Sequence, residues 1–429
     1  MPQLAPPGSA IQSLEDASSY LEGLINLERR PELGQARLGL RPIRRLLERL
    51  DGPERALSIL HVAGSKGKGS TCLFAESILR AAGERVGTFT SPHLVCWTER
   101  FRVDGREVEP DRLAAAVDTL RPHVDALRAE DPAEAPTFFD ATTAAALLLF
   151  AEARVDRAIL EVGLGGRLDS TNAVNPAVTC ITSIELEHTD KLGETLAEIA
   201  GEKAGILKAG VPCVTGRLPA EAEAAVERRA GELGVPLLRL GVDFEPVSAE
   251  AVCVLGAAQR DNAALARAMV AALGGYAPER LDEVSDRGLR TARLPGRVEL
   301  LAREPWIVVD GAHTRASARV LAEALGELPA KRRHLLLSVS GGKDLAAILD
   351  ALLQGATRVT VTCSELRRSL PAAELGARIR AAAPGLDVVV IDDPHQAVRA
   401  ARAALAPDDL LCATGSIYLA GIARPLLHP

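Results

Sequence analysis

The sequence predicts an α/β protein of two domains, a larger one built around a phosphate-binding loop and a second, smaller Rossmann-like one. Three observations predict it. Short β-branched runs alternate with longer Ala/Leu/Arg-rich segments along most of the 429 residues, the pattern of strand–helix units around a parallel sheet. A glycine-rich stretch at 61–70 joins an apolar run to a helical one. The alternation also restarts after Arg297, behind a Pro295-Gly296 interruption. Because domains usually run about 100 to 200 residues, a chain this long exceeds one ordinary core. The expected division is 1–294 and 295–429.

Leu57 to Ala63 reads as a buried strand, and Ser70 to Ala82 as a helix closed by Gly83. Strands are expected at Arg85–Phe89, Ala158–Val162, Val178–Ile184 and Val211–Thr215, with helices at Asp111–Leu127, Thr142–Ala153 and Leu192–Leu207. Asp104-Gly105 is a hairpin-turn signal. Pro219 to Ala230 reads as a solvated helix face. In the second domain the strands are Ile307–Val309, His334–Val339, Arg358–Thr362, Val388–Ile391 and Leu410–Ala413, each but the last followed by a helix.

The formal net charge is −7, from 50 Lys+Arg against 57 Asp+Glu, so nothing attracts nucleic acid or anionic lipid in general. An anionic ligand must be held by a local site. The seven cysteines are far apart, forming neither a metal knuckle nor a compact disulfide framework, which fits a reducing cytoplasm. Met1–Gly8 is Pro-rich without a basic segment and apolar run. The longest apolar stretch, Ala144–Ala151, falls short of the about 20 residues that cross a bilayer. No long apolar surface pattern announces a partner subunit, and a monomer is expected.

Three segments carry chemistry. In His61-Val62-Ala63-Gly64-Ser65-Lys66-Gly67-Lys68-Gly69-Ser70, backbone N–H groups and a helix N-terminus can converge on phosphate while Lys68 neutralises it. The spacing departs from the general phosphate-loop form: Val62 stands at the first glycine position, and Gly69 separates Lys68 from Ser70. In Glu161 to Asn172, a carboxylate at a strand end precedes Gly163, Gly165 and Gly166, which suits Mg²⁺ held with phosphate oxygens. The same stretch reads equally as a surface acid followed by a turn. The third segment is Glu187-His188-Thr189-Asp190 followed by Gly201-Glu202-Lys203-Ala204-Gly205. A lone histidine is more often structural than a ligand, and a helix lysine is more often solvated. Periodicity does not settle whether Lys203 is buried.

Together these segments, with Thr90-Ser91-Pro92-His93, Pro295-Gly296-Arg297, Asp310-Gly311-Ala312-His313 and Thr414-Gly415-Ser416, resemble the folylpolyglutamate synthase and dihydrofolate synthase family, a branch of the Mur ligase superfamily. The matches follow the family's order from about residue 58 to about residue 420. The resemblance implies a phosphate-loop-containing, Mur-ligase-like larger domain and a glutamate-ligase C-terminal domain. It implies ATP phosphates on Gly64, Ser65, Lys66, Gly67, Lys68, Gly69 and Ser70, one Mg²⁺ on Ser91 and Glu161, and a second on His188. It further implies carbamylation of Lys203, an adenine contact at Asn262, and nucleotide contacts from Arg297, Asp310 and His313 when the domains close. Thr137, Phe139, Asp169 and Ser170 take the places that line a dihydropteroate pocket.

The implied activity is ATP-dependent addition of L-glutamate to a folate, and also to dihydropteroate, through an acyl phosphate. Lys66, Ser170, Glu187, Ala258 and Thr314 depart from residues common in bacterial members, and the phosphate loop looks closer to eukaryotic ones. The alternatives are another amino-acid ligase of the superfamily and a phosphate-loop ATPase without ligase chemistry.

Overall fold

In the computed structural model, residues 10–26, 39–252, 254–366 and 368–428 are described. They form two compact units, one of residues up to Val252 with Asp261–Ala292, the other of residues within 253–260 and 293–429.

The first unit opens with helices α1 (Leu14–Glu22) and α2 (Arg41–Arg49), then strand β1 (Ile59–Ala63) and helix α3 (Lys68–Ala81). Strands β2 (Val86–Phe89), β3 (Phe101–Val103) and β4 (Arg106–Glu107) follow, then helices α4 (Pro110–Glu130) and α5 (Phe138–Glu152). Next come β5 (Arg157–Glu161), β6 (Val178–Ile181), the short α6 (Thr189–Leu192), α7 (Leu196–Ala204), β7 (Cys213–Thr215), α8 (Ala220–Leu233) and β8 (Leu237–Arg239). The part of α9 (Ala257–Leu273) from Asp261 onward and helix α10 (Pro278–Thr291) complete the series.

The eight strands lie in the order β4-β3-β2-β5-β1-β6-β7-β8, parallel from β2 to β8, with β3 antiparallel to β2 and to β4. Every residue of β1 is buried, His61 included, as expected of a strand covered on both faces. The connection after β1 leads toward one edge of the sheet and that after β6 toward the other. Their adjacent carboxyl ends therefore make the switch point where open α/β sheets bind ligands.

Helices α1, α2, α4 and α5 bury Leu21, Ile43, Val117 and Phe150 in one core cluster with Ile59, Phe89 and Leu160. A second cluster sets Ile199 and Ala204 of α7 and Val226 of α8 beside Ile181 and Cys213. Helix α10 lies so close to α3 that a Cβ on Gly288 would stand 2.6 Å from Ile78 Cα, and Ser77 Oγ donates to the Gly288 carbonyl at 2.7 Å.

The second unit contains β9 (Glu299–Arg303), β10 (Trp306–Val309), α11 (Arg315–Gly326), β11 (Arg332–Leu337), α12 (Leu345–Leu352) and β12 (Arg358–Val361). After them come α13 (Ala372–Ala382), β13 (Asp387–Val390), α14 (Pro394–Ala403), β14 (Asp409–Thr414) and α15 (Ile417–Leu427). Its sheet runs β13-β12-β11-β14-β10-β9, parallel except for β9.

Several expectations need correction. The helix expected over 192–207 is shorter, α7 at Leu196–Ala204, because Gly193 at φ 114° separates Leu192, the end of α6, from it and Thr195 with Glu198 caps its start. The last strand is followed by a helix after all, α15, started by the Ser416 side chain accepting from the Tyr418 N–H. Helix α8 is half-buried rather than solvated, since Ala222, Ala225, Val226 and Ala230 face the core. The Asp104-Gly105 turn is as expected, with positive φ at both residues as a two-residue type I′ hairpin demands.

Candidate active site

The loop from β1 into α3 takes its shape from two glycines. Gly64 has φ 146°, and a Cβ there would stand 1.9 Å from Thr182 Oγ1. Gly67 has φ 86°, and a Cβ there would stand 2.2 Å from Asn262 Oδ1. Side chains are thus excluded by both conformation and space. The loop is laced to the segment after β6: Ser65 N donates to the Ser183 carbonyl at 2.8 Å, Lys66 N to Ser183 Oγ at 2.9 Å, and Glu185 N to Ser65 Oγ at 2.9 Å. Helix α3 begins at Lys68 with no side-chain cap and no acid in its first turn, the arrangement in which the N-terminal N–H groups of a helix can receive an anion. Lys68 Nζ donates to the carbonyls of Gly64 at 2.9 Å and Ser65 at 3.4 Å.

Lys203 of α7 is only 1% exposed and reaches the same loop. Its Nζ donates to the Gly64 carbonyl and to Glu187 Oε1, both at 3.0 Å, while Lys66 Nζ lies 3.7 Å from Glu187 Oε2. Burial first, and the nearby Lys68 charge second, pull the Lys203 ammonium down to about 8 against the opposing pull of Glu187. Burial alone would raise the Glu187 carboxyl, but Lys203, Lys68 and Lys66 outweigh it and hold it at about 2. His188 sits at φ 47° before α6, and burial lowers its pKa, favouring the neutral imidazole that a metal requires.

Glu161, at the end of β5, is buried and accepts from the Ser91 N–H at 3.0 Å. Among the described residues no group of three or more His, Cys, Asp or Glu side chains gathers to hold a metal. One carboxylate and one hydroxyl nonetheless fit Mg²⁺, which is commonly bound by one or two carboxylates together with substrate phosphates and water.

The loop after β5 is organised by Asp169. Its Oδ2 accepts from Gly163 N at 3.1 Å and Leu164 N at 2.9 Å, and its Oδ1 from Thr171 N at 3.0 Å and from the Thr171 hydroxyl. Burial pushes its carboxyl up to about 6 in spite of these bonds. Ser170 Oγ donates to Asp140 Oδ1 at 2.7 Å, and Thr137 donates to Asp140 Oδ2 from its N–H at 2.8 Å and its hydroxyl at 2.7 Å. Thr137 is also the N-cap of α5. The Phe139 ring lies 5.9 Å from that of Phe89 and against Gly163, where a Cβ would approach it to 2.5 Å. The structure thus brings Thr137, Phe139, Asp169 and Ser170 together, and adds Asp140 and His61. Sequence reasoning missed Asp140, although its place three residues after Thr137 is a capping-box signal.

Arg297, Asp310 and His313 gather within the second unit. Asp310 is buried and accepts from Val298 N at 2.8 Å and Ala312 N at 2.7 Å, and burial pushes its carboxyl up to about 6. Arg297 Nη1 donates to the Pro295 carbonyl at 3.1 Å, and His313 Nδ1 lies 2.8 Å from the Gly311 carbonyl. Asn262 belongs to the first unit, with its carboxamide against Gly67. At the carboxyl ends of β11, β12 and β14 the hydroxyls of Ser338, Ser364, Ser369 and Ser416 meet at 2.9 to 3.4 Å, a cluster drawn from three segments that no single motif signalled.

Residues 62–241 match the Mur ligase middle domain and residues 296–417 the Mur ligase glutamate ligase domain. Fold and site therefore define an ATP-dependent ligase of the Mur type. The dihydrofolate synthase/folylpolyglutamate synthase of Bacillus subtilis is 33% identical over 431 residues, covering 94% of this chain and 96% of that protein. The chain belongs to the folylpolyglutamate synthase/dihydrofolate synthase family.

It spans about half, 48%, of a Haloferax volcanii protein described as a probable bifunctional folylpolyglutamate synthase/dihydropteroate synthase, with 36% identity over 414 residues and 91% of this chain covered. The solved structure of Escherichia coli FolC in complex with DHPP and ADP is similar, at 31% identity and a TM-score of 0.82 over 97% of both chains. So is a bifunctional folylpolyglutamate synthase/dihydrofolate synthase with Mn, AMPPNP and L-glutamate bound, at 30% identity and a TM-score of 0.81 over 100% of both chains. Among the described residues no helix is long and apolar enough to cross a membrane.

Proposed function

We propose that the chain couples L-glutamate to the carboxylate of a folate, and of dihydropteroate, at the expense of ATP. The observation that carries the reading is the junction at Gly64, where an uncapped helix start, Lys68 and the buried Lys203 meet at the switch point of the sheet. A carboxylate approaching the γ-phosphate sets like charges against each other. Lys68 and the α3 N-terminus offset that repulsion by fixed charge and dipole. A Mg²⁺ bound through Ser91 and Glu161 would supply further neutralisation of the phosphate oxygens.

The carboxylate oxygen attacks the γ-phosphorus, the bond to the bridging oxygen breaks, and ADP leaves. The glutamate amine then attacks the acyl carbon, loses its proton, and phosphate departs. Gly64 to Ser70 hold the nucleotide phosphates, Asn262, Arg297, Asp310 and His313 are further nucleotide contacts, and Thr137, Phe139, Asp169 and Ser170 line the pterin side. Residues 1–294 act as the ATP-binding part and 295–429 as the glutamate-ligase part, whose serine cluster suits an amino-acid carboxylate. Cys96, Cys180, Cys213, Cys363 and Cys412 form no disulfide, which suits a reducing cytoplasm, and the protein acts there as a monomer.

Lys203 is the proposed site of carbamylation, in which the neutral amine attacks CO₂, forms an N–C bond and releases a proton. The modified group is an anion beside Glu187, and a second Mg²⁺ near His188 would balance the pair. Raising pH deprotonates Nζ, so at fixed dissolved CO₂ the carbamate should grow from about pH 6.5 to about 8.5, across the value of about 8. A ¹³C carbamate resonance from labelled CO₂, absent in Lys203→Arg, checks this; equal signals at both pH values count against it. The activity is tested by glutamate-dependent ADP release with tetrahydrofolate and dihydropteroate offered separately. Release with neither, while ATP binds, rejects the assignment.

A further inference from the structure

His61 stands at the middle of β1, fully buried, three residues before the phosphate loop begins. Its Nε2 lies 2.8 Å from Thr171 Oγ1, across 110 residues of sequence. The Thr171 hydroxyl hydrogen is spent on Asp169 Oδ1, so Oγ1 has only a lone pair to offer, and His61 Nε2 must be the donor. That fixes the tautomer with the proton on Nε2 and leaves Nδ1 an acceptor, buried and without a hydrogen-bond partner. Burial, helped by the Lys208 charge, drives the imidazole pKa down to about 3, so the ring stays a neutral donor at any ordinary pH.

A polar ring with one unpaired nitrogen inside an apolar strand disfavours folding, and an aliphatic residue would not carry that penalty. What the ring provides is a chain of contacts. It begins on the strand bearing the phosphate loop, passes through Thr171 to Asp169, and reaches the Gly163 and Leu164 amides that Asp169 holds. The other side of the same turn is held by Asp140 through Ser170.

We propose that His61 is a positioning residue for the folate-side loop, acting through Thr171 to place Asp169 relative to the phosphate loop. It touches no reacting atom, and the proposal rests on the functional reading above. Glutamine puts an amide N–H near the place of Nε2, whereas asparagine is too short to reach it. His61→Asn and Thr171→Val should each raise KM for tetrahydrofolate about tenfold, the cost of about one hydrogen bond, with KM for ATP within about twofold of the parent. His61→Gln and Thr171→Ser should restore most of the loss.

The idea is overturned if His61→Asn leaves the folate KM unchanged, if both KM values rise together, or if His61→Gln behaves no better than His61→Asn. Should the unmodified protein turn over no folate, the functional reading fails by itself. Hydrogen exchange at the Gly163 and Leu164 amides then decides the relay without substrate. Faster exchange in His61→Asn than in His61→Gln supports it, and equal rates reject it.

Discussion

Replacing Lys68 with alanine should lower kcat/KM for ATP about a thousandfold, the scale on which a fixed positive charge aimed at developing phosphate charge contributes. Lys68 is the first residue of α3, and its ammonium is held within 3.4 Å of the Gly64 and Ser65 carbonyls, on the loop itself. The α3 N-terminus remains in the variant, so nucleotide binding should weaken less than turnover. Lys68→Arg keeps the charge but replaces a compact ammonium by a planar fork, and should recover only part of the rate. Glutamate-dependent ADP release and ADP binding by calorimetry separate the two effects. A loss below about tenfold in Lys68→Ala would remove Lys68 from the transition state.

A large effect on stability is expected at Gly288, where α10 packs on α3. A Cβ there would lie 2.6 Å from Ile78 Cα, 2.8 Å from Ile78 N and 2.8 Å from the Ser77 carbonyl oxygen, all backbone atoms of a buried helix. Relief cannot come from a rotamer change, so α10 must move off α3 and the Ser77 hydrogen bond to the Gly288 carbonyl must lengthen. Overpacking of this kind costs about 3 kcal/mol, which for a unit of this size lowers an unfolding midpoint by roughly 5 °C. Gly288→Val should show that drop in thermal unfolding. Gly201→Ala, whose Cβ meets nothing within 4 Å, should not. A Gly288→Val protein that melts with the parent would mean that α10 and α3 pack less closely than they do here.

Much of the fold is legible in the sequence, since the strands of the parallel sheets are short apolar-rich, often β-branched runs that alternate with helical segments. The phosphate loop is legible for the same reason: glycine, lysine and hydroxyl lie together within ten residues. The elements that were missed lack such local signals. Strand β8 is only half-buried, and β9 is an antiparallel edge strand with an exposed arginine at its end. Helices α1 and α2 are only nine residues each, too short for a long apolar periodicity, although Ser13 and Gly23 bound α1 and Pro42 stands in the first turn of α2.

The sequence by itself determined the α/β class, the strand–loop–helix around Gly64, and the family, because those depend on residue types at short spacing. Only the tertiary structure decided which side chains share a site. Lys203 meets Gly64 across 139 residues, His61 meets Thr171 across 110, and Asp140 meets Ser170 across 30. The physical reason is that burial and pKa depend on what surrounds a group in space. A lysine with small neighbours in sequence is a solvated charge or a buried one at about 8 according to the strands and helices that close over it.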